Sequence, residues 1–271
     1  MPKLYLKEYG RALAGKAVYI ACREGILRDH IQDIIADVKF LVRHDASCTL
    51  LHNMPNRFAN QKLIARIEHR LPTAAVVRIP PEADFYDAVL NLQPAMFKVI
   101  FLERRYLIDP RGHKINAVTT GRIRESPADF GGLIANVNFK GAMDCICRKI
   151  ESGQCDRVHI LPAGKNTIKH ELFTVEGSGT LIANNFQEDF RQVRTDDEVA
   201  IVHRILEMYK RSGFLKPRSK AYLMENRHRF YVTAIDGFVV GCVERKIIDA
   251  QTVEMGALAI STRFRNQRVG V

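Results

Sequence analysis

No apolar run in the 271 residues is longer than a strand, and the opening Met1 to Leu13 carries charges throughout, which excludes a signal peptide and a membrane span. Cysteine is sparse. The six residues are irregularly spaced and contain no Cys-x-x-Cys pair, which excludes a disulfide framework and supplies no metal-ligand spacing. Cys145 and Cys147 lie two apart on a helical stretch and point in different directions, so the cysteines read as buried structural thiols of a reducing cytoplasm. Acidic residues are outnumbered, 30 against 41 basic ones, for a net charge of +11 and a pI near 9.5. The basic residues are scattered rather than gathered into a run. With no zinc-finger spacing, no basic-region helix and no aromatic-rich basic motif, nothing supports nucleic acid as a partner.

What is present is an ordinary globular mixture, 46% hydrophobic and 26% charged, long enough for two domains. Ala17 to Ala21 reads as a strand, Gly25 to His44 as a helix with apolar residues at helical spacing, and Cys48 to Leu51 as a second strand. A turn-rich loop at 52–56 precedes a helix over 61–71, a strand over 74–79 and a helix over 83–92. Phe97 to Leu102 is a buried-strand run, Asp109 to Gly112 a turn, 141–152 a helix ended by Gly153, and 158–161 a strand. This alternation predicts a largely parallel sheet covered by helices. The stretch 170–180, with two glycines beside hydroxyl residues, suits a tight backbone loop able to hold a small ligand, or a plain turn.

Residues 184–193 are polar and read as the linker. Thr195 and Glu198 form a capping box ahead of a helix that Gly213 ends, and Asp236-Gly237 marks a hairpin. The strand 253–260 then runs into Arg, Asn, Gln and Gly. Backbone amides at a helix start, with Arg265 and Arg268 beside them, suit a pyrophosphate. A helix starting near Gln267 has no residues left for its turns, so the sequence reads as a fragment, expected to be inactive on its own.

Glu254-Met255-Gly256-Ala257-Leu258-Ala259-Ile260 followed by 264–270 resembles the first half of a GNAT acetyltransferase domain. Arg265 and Gly270 match that family's loop, Gln or Arg, two residues, Gly, one residue, Gly or Ala, while Arg268 stands at the first glycine position. Ser212-Gly213-Phe214-Leu215-Lys216-Pro217-Arg218-Ser219 resembles the Gly-x-Leu-x-x-Arg-Ser segment of N-acetylglutamate synthases. The stretch 171–180 resembles the Glu-x-Phe-Thr-x-x-Gly-x-Gly-Thr signature of acetylglutamate kinases and synthases. The resemblance implies an α/β chain: an amino-acid-kinase-like sheet sandwiched by helices over 1–187, then an incomplete α+β GNAT domain over 188–271. Where a working kinase has Lys-x-Gly-Gly and a Gly-rich turn, this sequence reads Ala21-Cys22-Arg23-Glu24-Gly25 and His52-Asn53-Met54-Pro55-Asn56, so no phosphoryl transfer is expected.

The resemblance implies an amino-acid N-acetyltransferase that moves acetyl from acetyl-CoA to the α-amine of L-glutamate in arginine biosynthesis, without a metal. Alternatives are a GNAT enzyme for another amino acid and a non-catalytic arginine sensor. Glu254, in an apolar strand, is a base or a solvent-facing residue by spacing alone, and synthases carry a glutamate at this place, which points to the base. The resemblance assigns acetyl-CoA binding to Leu258, Ala259, Ile260, Arg265, Gln267, Arg268, Val269 and Gly270. Arg218 is the candidate grip for a substrate carboxylate, with a solvated arginine as the alternative. His159, Glu171 and Gly177 match positions that bind L-arginine in responsive relatives, with Glu171 expected to pair with the guanidinium. A cytoplasmic homo-oligomer without nucleic-acid or membrane partners completes the expectation.

Overall fold

A short helix, α1 (Leu6–Leu13), leads into β1 (Ala17–Cys22), whose run Ala-Val-Tyr-Ile-Ala-Cys is buried enough to lie inside a sheet. The computed structural model describes residues 6–92, 96–126, 132–174, 176–186, 188–235 and 237–264. They fall into two compact units, Met1–Asn185 and Phe186–Val271.

In the first unit β1 is followed by α2 (Glu24–Val42), β2 (Ser47–His52), α3 (Phe58–Arg70), β3 (Ala75–Arg78), α4 (Phe85–Leu90) and β4 (Met96–Glu103). Then come β5 (Ala117–Thr119), α5 (Thr120–Arg124), α6 (Val137–Glu151), β6 (Cys155–Pro162), α7 (Thr167–Phe173) and β7 (Thr180–Ala183). The strands make one seven-stranded sheet in the order β3-β2-β1-β4-β6-β7-β5. All its pairings are parallel except β6 with β7. Alternate residues face opposite sides. Leu51, Val99, Phe101, Val158 and Ile160 pack into the cluster that α4 and α6 complete with Val89, Phe139, Met143 and Ile146. Ile20, Leu50 and Ile100 are fully buried and face the other way, the side of α2, whose stripe of Leu27, Ile34, Val38 and Leu41 packs near β2 and α7.

The second unit opens with β8 (Glu188–Gln192), followed by α8 (Asp196–Arg211), α9 (Lys220–Glu225), β9 (Phe230–Ile235), β10 (Phe238–Ile247) and β11 (Val253–Ile260). Its four strands form an antiparallel sheet in the order β11-β10-β9-β8. Residues 184–193, expected as a linker, therefore contain a strand. An edge strand is held by its backbone ladder and one face, so a polar composition suffices; Phe190 stacks on Tyr231 of β9 with ring centroids 5.6 Å apart. Thr195 caps α8, its hydroxyl accepting from the Glu198 amide at 3.2 Å, and Gly213 ends the helix at φ +78. Gly237, at φ +81, makes the turn between β9 and β10.

Candidate active site

The antiparallel register between β10 and β11 decides which side chains meet. Glu244 lies opposite Gly256, and Lys246 lies opposite Glu254. Residues two apart on a strand share a face, so these four positions line one face of the sheet. Onto it comes Arg218, from the segment between α8 and α9. Ser219 accepts from the Tyr222 amide at 3.1 Å and so starts α9, which fixes the residue before it and also Tyr222.

Three charged groups converge on Gly256. A methyl placed on that glycine would lie 3.7 Å from Arg218 Nη2, 3.8 Å from Glu254 Oε1 and 3.9 Å from Glu244 Oε2. Two residues expected on sequence grounds to act on one substrate, Arg218 and Glu254, are thus brought together. Of the two orientations that spacing allowed for Glu254, the structure has the solvent-facing one. Its side chain is 55% exposed, with Lys246 at 3.9 Å, because it sits near the start of an edge strand rather than under a helix. The solvated arginine considered for Arg218 is not found. Its side chain is 16% exposed, Nε donates to Glu244 Oε2 at 2.9 Å, and Nη2 forms an ion pair with the same oxygen at 2.9 Å.

Sequence reasoning missed Glu244 and Tyr222. Glu244 is fully buried and accepts a further hydrogen bond, at Oε1, from the Tyr222 hydroxyl. That bond, with burial second, raises the Tyr222 pKa and keeps the phenol a donor. The signal was in the strand itself: Val239-Val240-Gly241-Cys242-Val243-Glu244 is a more continuous apolar run than the one holding Glu254, so the logic of a carboxylate inside an apolar strand belonged to Glu244.

The strand assigned to acetyl-CoA carries a bulge. Cys242 pairs with Ala259 and Glu244 with Gly256, so Ala257 and Leu258 together oppose Val243, and Ala257 takes φ +51. Leu258 is exposed, Ala259 buried and Ile260 in between. The Ile260 carbonyl accepts from the Tyr209 hydroxyl at 2.8 Å and its amide lies 3.3 Å from the same oxygen, so α8 holds the end of the strand. Arg265, Gln267, Arg268, Val269 and Gly270 lie outside the described residues.

In the first unit, Glu171, Thr174, Gly177, Gly179 and Thr180 of the Glu-x-Phe-Thr-x-x-Gly-x-Gly-Thr stretch have structural tasks. Its opening residues, 171–173, are helical in α7, and the loop proper is shorter than expected. Glu171 does not reach outward for a guanidinium. Its side chain is fully buried, Oε1 lies 2.6 Å from His159 Nδ1, and Oε2 accepts from the amides of Ser178 at 2.6 Å and Gly179 at 2.9 Å. Gly177 takes φ +65, and its amide donates to the Thr174 hydroxyl at 3.1 Å. Any Cβ on Gly179 would stand 2.3 Å from the Ile160 carbonyl oxygen, so only glycine fits against β6. Thr180 closes the motif, donating to the Ile115 carbonyl and accepting from the Leu107 amide. The place after β1 holds Arg23, 3.5 Å from Glu103 and stacked over Phe85 and Tyr86.

Comparison with solved structures covers both units. N-acetylglutamate synthase from Neisseria gonorrhoeae, complexed with coenzyme A and L-arginine, matches 97% of this chain and 82% of its own with a TM-score of 0.56 at 16% identity. The same enzyme complexed with coenzyme A and N-acetyl-glutamate gives a TM-score of 0.52 at 17% identity over the same shares. The fold is that of N-acetylglutamate synthase. Among curated proteins, the amino-acid acetyltransferase of Pseudomonas fluorescens strain Pf-5 is 30% identical over 168 residues, 60% of this chain and 37% of the relative. That of Pseudomonas paraeruginosa is 23% identical over 197 residues, 72% of this chain and 44% of the relative. The chain thus spans less than half the length of these relatives. No family model matches. The α/β architecture expected from strand and helix alternation agrees with the N-acetylglutamate synthase fold, and no helix among the described residues is long and apolar enough to cross a membrane.

Proposed function

We propose that this chain supplies the acceptor site, and the start of the acetyl-CoA site, of an acetyltransferase acting on the α-amine of an amino acid, with L-glutamate as acceptor. The observation that carries it is the convergence of Arg218 and Glu254 on Gly256, within 3.8 Å of one point. An amino acid offers a carboxylate and an ammonium a few ångströms apart, and the site offers a guanidinium and a carboxylate. Arg218 grips the acceptor carboxylate. Glu254, open to solvent, takes a proton from the ammonium directly or through water, which leaves a neutral amine. The amine nitrogen then bonds to the thioester carbon, the C–S bond breaks, and coenzyme A departs as the thiol after taking up a proton. The backbone of 258–260 lies along the acetyl-CoA side, with the bulge at 257–258 as the stretch that has no register partner on β10. Glu254 as base, Leu258, Ala259 and Ile260 as acetyl-CoA contacts, and the loop from Arg265 to Gly270 remain parts of this proposal.

One guanidinium holds one carboxylate, and the neighbouring Lys246 faces Glu254, so the described residues account for any α-amino acid. That favours, as second reading, an acceptor other than glutamate. Release of coenzyme A by the complete protein, followed with a thiol reagent, separates the two, and the six cysteines of this chain add little background because they are buried. L-glutamate-dependent release supports the first reading. Release with another amino acid and not with L-glutamate overturns it in favour of the second.

The resemblance also supports an L-arginine effector site at His159, Glu171 and Gly177, and a homo-oligomer. With the Glu171 carboxylate turned inward, arginine would meet the loop backbone of 176–179. A rise in melting temperature on adding L-arginine supports the site, and an unchanged one removes it.

A further inference from the structure

Glu244 is the one fully buried carboxylate on the face where Arg218 and Glu254 meet, and nothing in the reaction outlined above uses it. Removing a carboxylate from water is strongly unfavourable unless hydrogen bonds and an opposite charge compensate. Both are present, and both come from one short piece of chain: Arg218 and Tyr222 flank Ser219, the cap of α9. From the reading of Arg218 as the carboxylate grip, we infer that Glu244 is the positioning residue of the acceptor site, holding Arg218 by one edge so that its other edge faces the substrate.

The hydrogen-bond inventory of the guanidinium carries the inference. Arginine has five N–H donors in one rigid plane. Nε gives one to Glu244 Oε2 at 2.9 Å, Nη2 forms an ion pair with the same oxygen at 2.9 Å, and Nη1 reaches the Lys216 carbonyl at 3.4 Å. Each terminal nitrogen keeps at least one further N–H, and a carboxylate can accept from both terminal nitrogens side by side. Nη2 lies 3.7 Å from the position of a Gly256 methyl, so this edge lies beside the space the glycine leaves open. Tyr222 fixes the other oxygen of Glu244, so the carboxylate itself cannot rotate. Without Glu244 the arginine side chain would keep several rotamers, and binding would have to select one.

The test uses the full chain and the variants Glu244→Gln, Tyr222→Phe and Arg218→Ala, with coenzyme A saturating only in the L-glutamate titrations. Calorimetry gives the affinities for L-glutamate and for coenzyme A, and nitrogen-15 NMR follows the Arg218 Nε–H signal, assigned by its loss in Arg218→Ala. Glu244→Gln keeps the side-chain shape and an accepting oxygen. It is expected to shift the Nε–H signal and weaken L-glutamate about tenfold, the size of a misaligned hydrogen bond to a charged group, while coenzyme A affinity stays unchanged. Tyr222→Phe is expected to do the same to a smaller extent. Equal weakening of both ligands, or unchanged L-glutamate affinity in Glu244→Gln where Arg218→Ala has lost it, overturns the inference. If Arg218→Ala leaves L-glutamate affinity as it was, or the chain binds none, the acceptor reading itself fails. The inferred positioning is then judged by the NMR signal alone: a shift in Glu244→Gln supports it, and an unmoved signal overturns it.

Discussion

Asp37 shows how one buried group can tie a loop to pH. It lies on α2, buried, and its carboxylate accepts from the amide of Ile168 at 2.9 Å, so it caps α7 from another element; Asn166, at φ +58, makes no side-chain cap of its own. Burial raises its pKa from the usual 3.8 to about 6, against the opposing pull of the amides of Ile168 and Lys169. A pKa higher in the folded state than in the unfolded one means a stabilising contribution that is full below about pH 4 and lost as pH rises through 6. Asp37→Asn cannot ionise. The melting temperature of the variant relative to the wild type is therefore expected to climb between pH 4 and 7, and a gap constant over that range would contradict the assignment. At this scale the sequence was legible where a residue type has one physical use, as with Gly177 and Gly213, both at positive φ. It was not legible for Glu171, since a glutamate in a motif looks the same whether it turns toward a ligand or toward two loop amides.

Elements were read well where apolar spacing is long and regular. Residues 25–44 became α2, shifted toward its start at Glu24–Val42, and the runs at 17–21, 97–102 and 158–161 became β1, one residue longer at its end, and β4 and β6, longer at both ends. Short elements escaped because tertiary pairing, not local pattern, makes them: three-residue β5 exists through its parallel pairing with β7, and β8 through β9. The cap at Thr195 was legible since Thr and Glu at that spacing have few other uses, and Glu198 in turn takes a backbone hydrogen bond from Thr195. The Glu198 carboxylate accepts from the Arg194 amide at 2.7 Å and pairs with Arg191 at 2.7 Å, so it clamps the chain entering α8. Thr195→Ala is expected to cost about 1 kcal/mol locally. Faster hydrogen exchange at the amides of the first turn of α8, with the first unit unchanged, would show it, and unaltered exchange would count against the cap.

On the scale of the whole molecule, two units with different sheets carry different kinds of information. The parallel sheet of the first unit was legible from alternation of strands and helices, because only that connectivity gives such a pattern. The proposed acceptor site of the second unit was half legible. Arg218 and Glu254 were found by resemblance, but their meeting at Gly256 depends on the β10–β11 register and its bulge, which periodicity does not show. Burial likewise pushes the thiols of Cys22, Cys48, Cys147, Cys155 and Cys242 up to about 12, consistent with structural cysteines. The central claim, that an amino acid sits between Arg218 and Glu254, is tested most directly at the glycine between them. The Gly256→Ala methyl would make only ordinary contacts of 3.7 to 3.9 Å, so folding is unaffected while the space for the acceptor is filled. L-glutamate affinity by calorimetry is predicted to fall at least about tenfold in Gly256→Ala. An affinity equal to that of the wild type would contradict the account.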